Sequence, residues 1–138
     1  MKVHFHFLSP IDLRNRKKLK IFLESLSKKE NTRLAEITYI FCSDAFLLNM
    51  NKQFLQHDFY TDIISFEISN DPLGKVAEIY ISTDRVKENA KIFKTSITSE
   101  LHRVIFHGIL HICGYKDKTK DQKNIMSAKE DYYLSAYF

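Results

Sequence analysis

Two cysteines, Cys42 and Cys113, are all that 138 residues contain, and they lie far apart. That excludes a disulfide scaffold and a close CxxC metal knuckle, and it fits reduced thiols in the cytosol. Three glycines and two prolines leave no flexible or Pro-rich linker, and there are no repeats or low-complexity tracts. Residues 1–138 therefore read as one domain. No apolar run approaches the roughly 20 residues needed to cross a bilayer. The opening MKVHFHFLSP lacks the apolar stretch of a secretory signal, so a cytoplasmic location and no membrane partner are expected. Strong charge of one sign is also missing. Twenty-one basic against 17 acidic residues give +4 and a pI near 9.0, a balance that permits a nucleic-acid partner without requiring one. What is present is 44% hydrophobic residues, enough for a real core.

Periodicity gives a coarse map. Lys2–Phe7 alternates Val3, Phe5 and Phe7 with Lys2, His4 and His6, which predicts a half-buried strand. Ile11–Lys29 carries Leu19, Phe22, Leu23 and Leu26 at helical spacing among lysines, which predicts an amphipathic helix. Arg33–Cys42 is a second strand, after which Ser43 or Asp44 caps a short helix to about Gln56. Thr61–Ser69 and Val76–Ser82 flank NDPLG and predict a hairpin with a long loop. Helices follow from Thr83 or Asp84 to about Phe93, from Thr98 or Ser99 to about Cys113, and over Asp121–Tyr137. The expectation is a single α+β domain with a mixed sheet of about four strands and four or five helices.

The chemistry concentrates in HGILHICGYKD. His107 and His111 are four apart in a predicted helix, so their rings project side by side and can bind one ion at about 2.0–2.1 Å. Gly114 stops the helix and, able to adopt positive φ, lets the chain turn back over the metal. The next carboxylate is Asp117, with Asp121 as the alternative third ligand. Three protein ligands leave a position open for water, the pattern of a catalytic site. Taken singly, each feature has a plainer meaning: ordinary histidines, a helix stop, a solvated KDKTKD loop. The combination carries the signal. Two nitrogens and one carboxylate suit Zn2+ best among divalent ions, with nickel, manganese and iron as the other options.

Gly108 occupies the position where HExxH proteases place their general base, which argues against peptide hydrolysis. Glu100, two helical turns before His107, reads as too distant to substitute for it. Cys113 is expected to pack into the core. Lys116, Lys118, Lys120 and Lys123 cluster after the turn, where they can meet phosphates. Arg14, Arg16, Lys17, Lys18 and Lys20 form a second basic run, read as a solvated face or a ribosome-facing surface. His4 and His6 imitate an HxH pair but have no third ligand near them in sequence, so they read as exposed strand residues.

The stretch from His107 to Asp117 resembles the signature HGxLHLxGYDH of the YbeY family of metal-dependent endoribonucleases, at His107, Gly108, Leu110, His111, Gly114 and Tyr115. HDFYTDIISFE resembles another family strand at Asp58, Thr61, Asp62, Ser65 and Phe66, and GKVAEIYIS resembles a third, so the likeness runs from about Met50 to Tyr133. It implies a single-strand-specific endoribonuclease acting on ribosomal RNA and the small subunit, in 3′-end maturation and quality control. Two positions depart from the pattern. Asp117 stands where the family has its third histidine and Lys116 where it has an aspartate. An Asp ligand adds negative charge, which makes a bound water less acidic. Leu55 falls where the family usually has an arginine implicated in activity, which leaves that role to Arg103, one helical turn before His107, or to His57. A non-hydrolytic assembly or RNA-binding factor with a structural metal is the alternative.

Overall fold

The computed structural model describes residues 1–55 and 61–138. The strand predicted from alternation is β1 (Lys2–Phe7). The chain continues through α1 (Arg16–Lys29), β2 (Leu34–Cys42), α2 (Asp44–Leu55), β3 (Ile63–Asp71), β4 (Gly74–Ser82), α3 (Thr83–Ile92), α4 (Ile97–Ile112) and α5 (Lys120–Tyr137). Four strands and five helices among the described residues match the expected α+β class.

The sheet has the order β1-β2-β4-β3. β1, β2 and β4 run parallel, and β3 is antiparallel to β4 at the edge, so the sheet is mixed. One face carries the main core, where Leu19, Leu23, Ile37, Tyr39, Ile79, Leu101, Ile105 and Phe106 are fully buried. The buried Tyr39 hydroxyl donates to the Ile105 carbonyl at 3.0 Å, so this hydroxyl is satisfied within the core. The other face has a smaller cluster of Cys42, Leu47 and Ile64, with Met50, Phe66 and Tyr80 against it.

Two boundaries differ from the sequence expectation. The first helix starts at Arg16, not Ile11, because Asn15 takes a left-handed backbone (φ 54°) that a helix interior does not admit. The residues before it are pinned instead to β2, with Leu8 and Ser9 N–H groups donating to the Phe41 carbonyl at 2.8 and 3.0 Å. The hairpin loop is short, not long. Asp71 pairs directly with Gly74 across Pro72 and Leu73, and Asp71 Oδ1 accepts from Leu73 N at 2.7 Å. Gly74 closes the turn at φ 127°, where a Cβ would also lie 2.7 Å from the Arg33 carbonyl oxygen.

The seating of α4 on the sheet positions the site. A Cβ on Gly108 would stand 2.8 Å from Ile79 Cγ2 and 3.0 Å from Ile63 Cδ1. The residue that lacks a general base is thus a packing glycine, letting α4 approach β3 and β4 closely.

Candidate metal centre

Helix α4 begins where the Ser96 side chain accepts from Ser99 N at 3.0 Å, satisfying an otherwise free amide of the first turn. From Glu100 to Ile112 every residue is buried except Arg103, His107 and His111. Those three recur every four residues, so they form one stripe on the side of α4 that is not packed. The helix ends in a Schellman turn. Tyr115 N donates to the Leu110 carbonyl at 3.1 Å and Gly114 N to the His111 carbonyl at 3.0 Å. Gly114 has φ 105° and open space where a Cβ would lie, so it is required for its backbone conformation alone.

This turn returns Asp117 to the stripe. Its Oδ2 lies 3.2 Å from His107 Nε2 and 3.3 Å from His111 Nε2. One donor atom from each of the three residues falls within a 4.8 Å group. Ligands about 2.0–2.2 Å from an ion in tetrahedral array stand roughly 3.3–3.6 Å from one another, so the spacing suits a shared cation. The far side of each ring strengthens the fit. His107 Nδ1 donates to Glu130 Oε2 at 2.5 Å, and His111 Nδ1 donates to the Tyr115 carbonyl at 2.9 Å. An ionised carboxylate and a carbonyl can only accept, so each neutral ring carries its proton on Nδ1 and turns an Nε2 lone pair toward Asp117. Asp121, the alternative ligand, is exposed in the first turn of α5 and stands outside the group.

Arg103 faces the same cleft, but carboxylates surround it. Nη1 donates to Glu130 Oε1 at 2.9 Å, Nη2 to Asp131 Oδ1 at 2.9 Å, and Nε lies 3.9 Å from Glu100 Oε1. The cleft of about 610 Å3 is lined by Asp62, Glu100, Arg103, His107, Glu130 and Asp131, among others. Burial pulls the His107 imidazole toward lower pKa, yet the hydrogen bond and charge of Glu130, with Asp117 and Asp62, outweigh it and leave it raised. Burial raises Asp62 against the pull of His107. Burial also takes Glu100 to about 7, opposed by Arg103 and reinforced by Asp62 and Glu130. Glu100 therefore stands in the cleft with His107, although two turns separate them along α4.

The remaining candidates divide. Lys116, Lys118 and Lys120 are exposed on and just after the turn that carries Asp117. His57 and Asp58 lie outside the described residues, and Leu55 is the last residue of α2. Cys113 is half-buried against the core, and burial pushes its thiol up. His4 Nε2 lies 3.3 Å from Glu36 on the neighbouring strand. Much of the basic run on α1 is engaged by the protein itself. Lys18 Nζ donates to the Tyr137 carbonyl at 2.9 Å, and the Arg16 guanidinium lies 4.5 Å above the Phe7 ring.

Glu130 was not among the residues singled out from sequence. Its signal was available, since Met126, Glu130, Tyr133 and Tyr137 recur at helical spacing and all four are buried. A glutamate in an apolar stripe needs a buried partner, and here it has two, His107 and Arg103.

An α+β domain whose central helix presents two tautomer-fixed histidines, and whose next turn returns a carboxylate to them, has the frame of an open three-ligand metal protein. The chain belongs to the endoribonuclease YbeY family, whose model matches residues 9–137. The protein named Endoribonuclease YbeY in Cytophaga hutchinsonii is 50% identical over 124 residues, which is 89% of this chain and 86% of that one. Its namesake in Flavobacterium psychrophilum is 41% identical over 136 residues, 98% and 96% of the two chains. The solution structure of TM1509 from Thermotoga maritima aligns with a TM-score of 0.62 at 28% identity, over 99% of this chain and 89% of that one.

Proposed function

We propose that the protein is a metal-dependent endoribonuclease that cleaves single-stranded RNA in the cytoplasm and acts in ribosomal RNA maturation, at the 3′ end of the small-subunit RNA and in ribosome quality control. The observation that carries the reading is the convergence of His107 Nε2, His111 Nε2 and Asp117 Oδ2 within a family whose members bear the name endoribonuclease. These three residues would hold one divalent ion, with Zn2+ the best match to two imidazoles and one carboxylate. The chemistry a bound ion supplies here is Lewis-acid polarisation of a phosphoryl group.

The chain's own residues do the rest. Glu130 and the Tyr115 carbonyl keep the two Nδ1 protons in place, so both rings present lone pairs to one point. Arg103 acts by orienting Glu130 more than by meeting substrate, since each of its terminal nitrogens already donates to a carboxylate. Lys116, Lys118 and Lys120 surround Asp117 with positive charge for phosphates, and they offset the negative charge that Asp117 brings in place of a histidine. His57, outside the described residues, is read from the sequence as a further RNA contact. Gly108, pressed against Ile79, leaves no room for a protease's general base.

The test is cleavage of single-stranded RNA by metal-stripped and zinc-restored protein, beside His107→Ala and Asp117→Ala. Cleavage that depends on zinc and disappears in both variants is expected. Cleavage that survives chelation or both substitutions would overturn the reading. Tight zinc binding without cleavage would favour an assembly factor with a structural metal.

A further inference from the structure

Glu30 caps the C-terminal end of α1, remote in sequence from the cleft. A helix C-terminus disfavours negative charge, and Lys28 and Lys29 in the last turn follow that preference while Glu30 does not. Its carboxylate is nevertheless buried and fully engaged. Oε1 accepts the Tyr115 hydroxyl at 2.5 Å. Oε2 accepts the Tyr133 hydroxyl and, at 3.1 Å, the Lys129 ammonium. The Lys129 ammonium also lies 5.5 Å above the Tyr115 ring. Groups from α1 and α5 thus converge on Tyr115, the residue whose carbonyl takes the Nδ1 proton of His111.

The two Schellman hydrogen bonds hold the backbone of the turn, but nothing packs over Gly114, where the space for a Cβ is open. The carbonyl that orients His111 is set by that backbone turn together with what grips the Tyr115 side chain. We infer that Glu30 is a positioning residue of the metal centre, holding Tyr115 by its hydroxyl so that the Tyr115 carbonyl keeps His111 in the ligating tautomer and orientation. The inference rests on the reading of His107, His111 and Asp117 as metal ligands. Each histidine then has its own support: Glu130 directly for His107, and Glu30 through Tyr115 for His111. Lys129 and Glu130, adjacent on α5, tie the two supports together. The hydrogen bonds from Tyr115, Tyr133 and Lys129 outweigh burial and hold Glu30 below the usual carboxylate pKa, so it is charged and a strong acceptor at neutral pH.

The experiment compares zinc affinity, by competition with a chromophoric chelator, with the melting temperature of the metal-free full chain. Tyr115→Phe keeps the ring and removes only the hydroxyl. It should weaken zinc binding about tenfold, the lower end for supports of metal-ligating histidines. Glu30→Ala should do the same, and the double substitution should be no worse than Glu30→Ala alone, because both remove one linkage. Glu30→Gln, whose amide oxygen still accepts a hydroxyl, should recover part of the affinity. Tyr132→Phe, on α5 beside Tyr133 but bonded to Lys29, should leave affinity unchanged. Zinc affinity of Tyr115→Phe within twofold of wild type, whatever its melting temperature, would overturn the inference and leave Glu30 a merely structural clamp. If Glu30→Ala does not fold, Tyr115→Phe decides alone. Failure of the wild type to bind zinc would overturn the metal-centre reading, and this inference with it.

Discussion

Replacing Glu100 by glutamine should stabilise the metal-free protein at alkaline pH and leave it unchanged in acid. Glu100 is buried on α4, its nearest cation Arg103 is 3.9 Å away, and burial takes its carboxyl from an ordinary 4.5 to about 7. Below 4.5 the side chain is protonated in both native and unfolded chains, so it has no effect on folding. Between 4.5 and 7 the unfolded chain releases the proton while the native protein keeps it, and stability falls as pH rises. Above 7 both states are ionised and the native protein bears the full cost. The interval from 4.5 to about 7 corresponds to about 3 kcal/mol, at about 1.4 kcal/mol per pH unit. Glutamine removes that cost, but the Arg103 guanidinium then keeps only Glu130 and Asp131, so the net gain should be about 1–3 kcal/mol at pH 8. For a chain of this size that is a rise in melting temperature of about 3–10 °C. Denaturant titrations of wild type and Glu100→Gln at pH 4, 6 and 8 measure it. A gap that is absent at pH 8, or equal at all three values, would refute the assignment of Glu100 as a carboxyl held neutral by its surroundings.

Other outcomes follow from the same geometry. Glu130→Gln removes the anionic acceptor of His107 Nδ1 and should lower zinc affinity by roughly 10–100-fold, measurable by chelator competition; an unchanged affinity would remove Glu130 from the site. Gly108→Ala gains about 1 kcal/mol of helix propensity but presses a methyl into the fully buried Ile79. With overpacking costing about 1–3 kcal/mol, it should lose about 1 kcal/mol net, and a more stable variant would contradict the close seating of α4. Lys118→Ala should reduce the slope of log affinity for single-stranded RNA against log salt by about 0.7, while Lys17→Ala on α1 leaves it unchanged; equal slopes for both would deny the loop lysines a phosphate role.

Much of the fold was legible because hydrophobic period is a local property. The alternation in Lys2–Phe7 and the spacing of Leu19, Leu23 and Leu26 each report the face that must be buried. The two misread boundaries came from backbone choices that periodicity does not encode: the left-handed Asn15, and the pairing that carries β3 and β4 as far as Asp71 and Gly74. Side-chain identity at Asp71 and Gly74 permits that turn, but only pairing along the whole hairpin decides its length.

The candidate site divides along the same line. His107, His111, Gly114 and Asp117 lie within eleven residues, and helix geometry plus one positive-φ turn bring them together, so sequence alone determined their convergence. It also determined that Gly108 is not a base. What holds the Nδ1 side of each ring was decided by tertiary structure. Glu130 meets His107 from 23 residues away along the chain, and Glu30 meets Tyr115, whose carbonyl holds His111, from 85 residues away, because α5 and the end of α1 pack around the turn. Arg103 illustrates the point from the other direction. From sequence it was a cation one helical turn from His107, a candidate for the role of the family arginine that Leu55 replaces. Packing gave it the buried Glu130 and the exposed Asp131, since a guanidinium beside carboxylates is held by charge-assisted hydrogen bonds that no local pattern announces.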